Sequence, residues 1–149
     1  MGMNPLIVRV NAAQSVIDKF LGQPFQWGSS DCACLAAFSL RQLGYDNPLS
    51  GIETYGTYRG AKKAMKRAGI TGFADHFEQK LGLERIAPAM ALPGDLVLIP
   101  GEHPETFDGA LGVAIGQGRI LGFANGIGDF APDHICTAAW RALPQGGAV

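Results

Sequence analysis

No apolar stretch of this sequence approaches the length needed to cross a bilayer, so no membrane span is expected. The opening residues, MGMNPLIVRV, lack a basic segment followed by a long apolar run and do not read as a signal peptide. A protein of this kind that works outside its cell needs another route, such as inside a particle. Cysteine is sparse. Cys32, Cys34 and Cys136 are odd in number, and the first two stand too close for an easy bridge within a helix. No disulfide framework is expected, which suits folding in a reducing cytoplasm. No group of His, Cys and Asp has metal-ligand spacing, so neither a metal nor any other cofactor is expected. The net charge is −1, and nothing at the level of the whole chain demands a nucleic-acid partner. Internal repeats, low-complexity blocks and linkers are missing too. The 149 residues are read as one domain, 1–149.

What is present is a globular composition, 47% hydrophobic and 17% charged. A chain of this size buries about two thirds of the surface its unfolded form exposes. Asn11 is a capping residue type for a helix from about Ala12 to Leu21, with Val16, Ile17 and Phe20 as its buried stripe and Gly22 and Pro24 as its stop. Ser29, Ser30 and Asp31 are all N-cap types and open a helix from about Cys32 to Leu43, ended by Gly44. Residues Asn47 to Gly56 read as a loop. A third helix runs from about Thr57 to Ala68 and a shorter one from Phe73 to Leu81, followed by a loop through Pro88 and Pro93. The second half changes character. Asp95 to Ile99 is an apolar run suited to a buried strand. Leu111, Val113 and Ile115 alternate with Ala110, Gly112 and Ala114 at strand period. Gln117-Gly118 signals a hairpin turn, Arg119 to Ala124 a return strand, and Ile135 to Leu143 a last strand. Helices first and an antiparallel meander afterwards make an α+β pattern, with the helices packed on the sheet.

Cys32 stands at the entrance of its helix. There the positive end of the helix dipole and unpaired backbone N–H groups favour a thiolate and can hold an oxyanion, as a nucleophilic cysteine needs. The ordinary alternative is a small buried side chain, since free cysteine is among the most buried residue types.

Phe25-Gln-Trp27-Gly-Ser-Ser-Asp31-Cys32 resembles the NlpC/P60 signature, in which an aromatic residue and a glycine lead to Asp-Cys at a helix start. Leu92-Pro93-Gly94-Asp95-Leu96-Val97 resembles that family's Pro-Gly-Asp-Leu strand start. Ala110 to Gly116, then Gly118 to Leu121, resemble its His-Val-Gly-Ile hairpin. The three motifs come in the family's order over roughly Ile17 to Leu121. The whole chain, with Tyr55 to Gly69 and Ala139-Trp140-Arg141, further resembles an uncharacterised NlpC/P60-like family encoded in the tail gene clusters of phages and prophages. The resemblance implies a papain-like α+β fold and Cys32 at the nucleophile position. It also sets Ala110 where the family keeps its catalytic histidine, and Gly122 or Phe123 near its third polar residue. Alanine supplies no base. The small face Ala110, Gly112, Ala114 and Gly116 is expected to let the Cys32 helix approach the sheet.

Of the histidines, His103 is a candidate base that would have to reach Cys32 from a loop, while His76 and His134 read as ordinary helix and surface residues. Cys34 and Cys136 read as core. Arg59, Lys62, Lys63, Lys66 and Arg67 recur at helical spacing on one face, opposite Tyr58, Ala61, Met65 and Ala68. They form either a solvated face or a docking face for an acidic protein patch or phosphate groups. Three functions are expected to compete. One is a structural component of a phage tail tip or baseplate, bound to other tail proteins in the virion tail. The second is a cysteine hydrolase of peptidoglycan peptides using Cys32 with a non-standard base. The third is an acyl-transferring enzyme using the same thiol.

Overall fold

Helix α1 spans Pro5–Phe20 in the computed structural model, which describes residues 4–26, 30–46, 48, 58–69, 72–100, 109–123 and 126–145. It begins seven residues before the expected start. Asn4, not Asn11, is the cap: its side chain accepts from the Leu6 N–H, and Pro5 occupies the first turn, where its missing N–H costs nothing. Helix α2, Cys32–Gln42, is capped as expected by Asp31, whose carboxylate accepts from the Cys34 N–H at 2.8 Å. It ends at Gly44, which takes φ +97° while the N–H groups of Gly44 and Tyr45 turn back to the carbonyls of Arg41 and Leu40. Helix α3 covers Tyr58–Arg67. A short helix α4, Phe73–Asp75, widens into a π turn over His76–Lys80.

Six strands follow: β1 Glu84–Ile86, β2 Leu96–Ile99, β3 Ala110–Gly116, β4 Arg119–Gly122, β5 Asp129–Pro132 and β6 Ala138–Arg141. They form one antiparallel sheet in the order β1-β6-β2-β3-β4-β5. Strands β2 to β4 are the expected meander, which β5 extends. The expected pattern lacked β1 and β5, both short and bounded by turns, and did not foresee that β6 crosses back to lie between β1 and β2. The two-residue turn at Gln117 and Gly118 is of the hairpin kind that needs positive φ at both positions, 58° and 74° here.

The sheet has two unlike faces. Leu96, Leu98, Leu111, Val113, Leu121 and Trp140 point into the main core with Val16 and Phe20 of α1 and Leu35, Ala36 and Leu40 of α2. Val97, Ile99, Ala114, Ile120 and Ala139 point the other way, into a thin second layer closed by Ala91, Ile135 and Cys136. A Cβ on Gly112 would meet Val97 and Ile120 of that second layer. The expectation that Ala110, Gly112 and Ala114 face the Cys32 helix is therefore corrected. The large residues of β3, not the small ones, fill the space beneath α2, because helix and sheet stand far enough apart to need their volume.

Asp95, fully buried at the start of β2, ties these parts together. Its Oδ1 accepts from Arg9 Nη1 at 2.9 Å and the Ala142 N–H at 2.8 Å, and its Oδ2 from Arg141 Nε and the Leu92 N–H, each at 2.9 Å. Arg9 also donates to the Pro93 carbonyl, and Arg141 to that of Met90. Removing one member of a buried ion pair leaves an uncompensated charge. Asp95→Ala is expected to lose about 3–5 kcal/mol of unfolding free energy in urea titration. A loss under about 1 kcal/mol, the worth of a surface pair, would show that the network is dispensable.

Candidate functional site

Phe25 lies edge-on to Phe123, with ring centroids 5.8 Å apart, and Phe123 in turn to Phe20 at 6.2 Å. Gln26 and Ser30 bridge across the approach to α2, and Ser30 Oγ donates to the Pro24 carbonyl. Asp31 then caps the helix, so Cys32 sits in its first turn, as expected. Trp27, Gly28 and Ser29 of the motif lie outside the described residues.

Burial pushes Cys32 up to about 12 from an ordinary 9.0, and the charge of Asp31 adds to the rise. The Leu111 N–H and the residue's own backbone N–H pull the other way and lose. At neutral pH Cys32 is a protonated thiol, not the poised thiolate that a helix entrance suggests.

Beneath it the sheet offers no base. Leu111 is fully buried in the main core, and Phe123 lies opposite it by continuation of the Val113–Leu121 pairing. Ala110 packs against the second layer on the far face, so the position taken for the missing histidine is not the one that faces the sulfur. Gly122 also looks away, since a Cβ there would meet Ile120 and Ile99. His76 binds the Pro48 carbonyl through Nε2 at 2.8 Å and lies edge-on to Phe77, which packs on Trp140 of β6. That is two strands from β3, roughly 10 Å at ordinary strand spacing. His134 is exposed in the 3-10 turn Asp133–Ile135, whose Ile135 packs on the far face. His103 lies outside the described residues. Among the described residues, no group of three or more His, Cys, Asp or Glu is placed to hold a metal, and no helix is long and apolar enough to cross a membrane.

The basic stripe keeps its expected form. Arg59, Lys62, Lys63, Lys66 and Arg67 are all exposed on α3, while Ala61, Ala64 and Met65 are buried. Ala68 belongs with the exposed residues rather than with the apolar face. Cys34 and Cys136 are half-buried rather than core, and burial pushes Cys136 up to about 11. Arg9 and Arg141 carry no signal of their role in the sequence; only their shared partner, Asp95 of the Pro-Gly-Asp motif, was visible.

A family profile described as a domain of unknown function, DUF6950, matches residues 9–142. The chain belongs to the DUF6950 family. The solved structure of NlpC2 from Trichomonas vaginalis superposes on this DUF6950 chain with a TM-score of 0.53 at 15% identity. The match covers 91% of the DUF6950 chain and 47% of NlpC2, so the chain spans about half the length of that structure. At that identity the likeness concerns the fold: α+β and NlpC/P60-like, as the motifs implied. No curated protein matches the sequence.

A half-buried thiol whose pKa is raised resists alkylation. Iodoacetamide at about pH 8 is expected to leave Cys32 of the native chain unlabelled by peptide mass spectrometry and to label it in urea. Its pH dependence has a definite sign. The folded value lies above the ordinary one, so the native state holds a proton that the unfolded chain releases. The resulting stabilisation is complete below about 9 and is lost as pH rises towards about 12. In a Cys136→Ser background, Cys32→Ala should flatten the decline of the urea midpoint above pH 9; an unchanged slope would contradict the buried placement.

Proposed function

We propose that this chain is a non-hydrolytic NlpC/P60-like component of a phage tail tip or baseplate, assembled in the host cytoplasm and carried in the virion tail. One observation carries the non-hydrolytic reading: the half-buried Cys32 thiol is held protonated over Leu111, with no base on that face among the described residues. The tail setting rests on the resemblance of the sequence motifs. A fold does not fix an activity, and a domain that works by binding loses nothing when its groove no longer cuts. Its partners on this reading are neighbouring tail proteins, met through the exposed basic face of α3.

A second reading keeps Cys32 as the nucleophile of a peptidoglycan endopeptidase, with His103 as base. The Asp31-Cys32 pair at a helix start favours it, because binding alone has no chemical need for a thiol there.

Incubation of the purified chain with peptidoglycan separates the two. No muropeptide release above a Cys32→Ser control is expected; release that Cys32→Ser and His103→Ala both abolish would establish the endopeptidase. The docking face has its own test. Changing Lys62, Lys63 and Lys66 together to Glu should weaken incorporation into tails while moving stability by under about 0.5 kcal/mol per site. Normal incorporation of this triple variant would leave the stripe an ordinary solvated surface.

A further inference from the structure

Helix α1 carries a second apolar stripe that the fold does not bury. Its core face is Arg9, Ala12, Ala13, Val16 and Phe20. About a third of a turn round the helix lie Ile7, Val10, Gln14, Ile17 and Leu21, spaced three and four apart, the spacing of a seam between paired helices. Ile7 and Val10 are 51% and 52% exposed, Leu21 is 39% exposed, and Leu6 flanks them at 56%. Ile17 is half-buried and Gln14 exposed. Beyond the helix, exposed Ile127 lies opposite Pro24, with which it forms an antiparallel bridge. Four of the eight large apolar side chains exposed among the described residues, Leu6, Ile7, Val10 and Leu21, thus lie along one side of this helix of 16 residues, about 24 Å long, and its C-cap. Single exposed apolar residues need no explanation; a continuous row at seam spacing does.

We propose that this stripe is the interface of a homodimer, in which the α1 helices of two copies pair antiparallel about a twofold axis. Charge selects the occupant and the direction. The exposed side of α1 carries no charge from Pro5 to Ile17, since Arg9 is turned inward onto Asp95. A charged partner surface would find nothing to pair with there, whereas a second copy meets a surface as neutral as its own. The first charge beside the stripe is Asp18, held by Gln14 Nε2 at 2.8 Å. Parallel pairing would set Asp18 against Asp18. Antiparallel pairing sets it near the N-terminal end of the partner helix, where the helix dipole favours a carboxylate. A twofold axis also closes the assembly at two copies. Gln14, the one polar residue in the seam, is the kind of residue that fixes register at some cost in affinity. One helix pair is smaller than the roughly 800 Å² per partner of a standard interface, so the dimer is expected in the micromolar range.

Sedimentation velocity of the full chain across a concentration series tests this. The native chain should pass from monomer to dimer, Val10→Lys should raise the dissociation constant more than about tenfold, and Gln14→Leu should lower it. Circular dichroism checks that both variants keep their helices; Gln14→Leu decides the matter if Val10→Lys does not fold. Direction is read by oxidising a mixture of Ile7→Cys and Ile17→Cys chains, with the native chain as background. Disulfide between the unlike chains supports antiparallel pairing. The proposal is overturned by a native chain that stays monomeric, by a dimer indifferent to both substitutions, or by Ile7→Cys chains that link chiefly to one another.

Discussion

The Asp95 carboxylate is the point on which the rest of the structure depends. A buried charge is costly unless its geometry is nearly ideal, and here all four of its bonds fall between 2.8 and 2.9 Å. The four donors come from three stretches of chain: α1, the turn before β2, and the end of β6 with the residue beyond it. To supply Arg9, the chain must be helical well before the apolar stripe of Ala12 to Phe20 begins, which is why α1 starts at Pro5. Turning Arg9 inward also fixes the rotation of α1 and leaves Ile7 and Val10 to the solvent. One ion network thus sets both the docking of the first helix and the character of its outer face.

The Cys32 thiol shows how two general rules are weighed against each other. A helix N-terminus favours a nearby anion by about 0.3–1 kcal/mol, and up to about 2 in favourable partly buried sites. One pKa unit is about 1.4 kcal/mol, so the helix end lowers a thiol by roughly one unit. Desolvation works the other way and outweighs it, leaving Cys32 at about 12. Position at a helix entrance identifies a nucleophile only where water or a cation also reaches the sulfur. Here the apolar face of β3 supplies no cation.

Much of the architecture was legible because it is written locally. Asp31 and Gly44 bracket α2, Gln117-Gly118 makes the hairpin, and the apolar run after Asp95 is β2. What escaped is what needs a partner far along the chain. Leu6 to Val10 holds three β-branched residues, Ile7, Val8 and Val10, and only the Asn4-Pro5 start and the inward Arg9 reveal a helix. Alternation along β3 shows that the strand has two faces, but not which one meets α2; the pairing of Leu98 with Leu111 and the volume of the core decide that. Strands β1 and β5 are too short to show a period. The fold of the candidate site was readable in the order of its motifs. Its protonation state was not, because burial belongs to the assembled core and not to any single motif.

The strand order has a consequence for how such a chain is made. Strand β6 holds the edge of β2, yet it is the last of the six to leave the ribosome. Until it arrives, β2 presents an unpaired apolar edge, and Asp95 lacks both Arg141 and the Ala142 N–H. The meander β2 to β5 can therefore form early but cannot be sealed early. The nascent chain carries this aggregation hazard from the emergence of β2 until β6 follows, and sealing of the sheet waits on Ala138–Arg141.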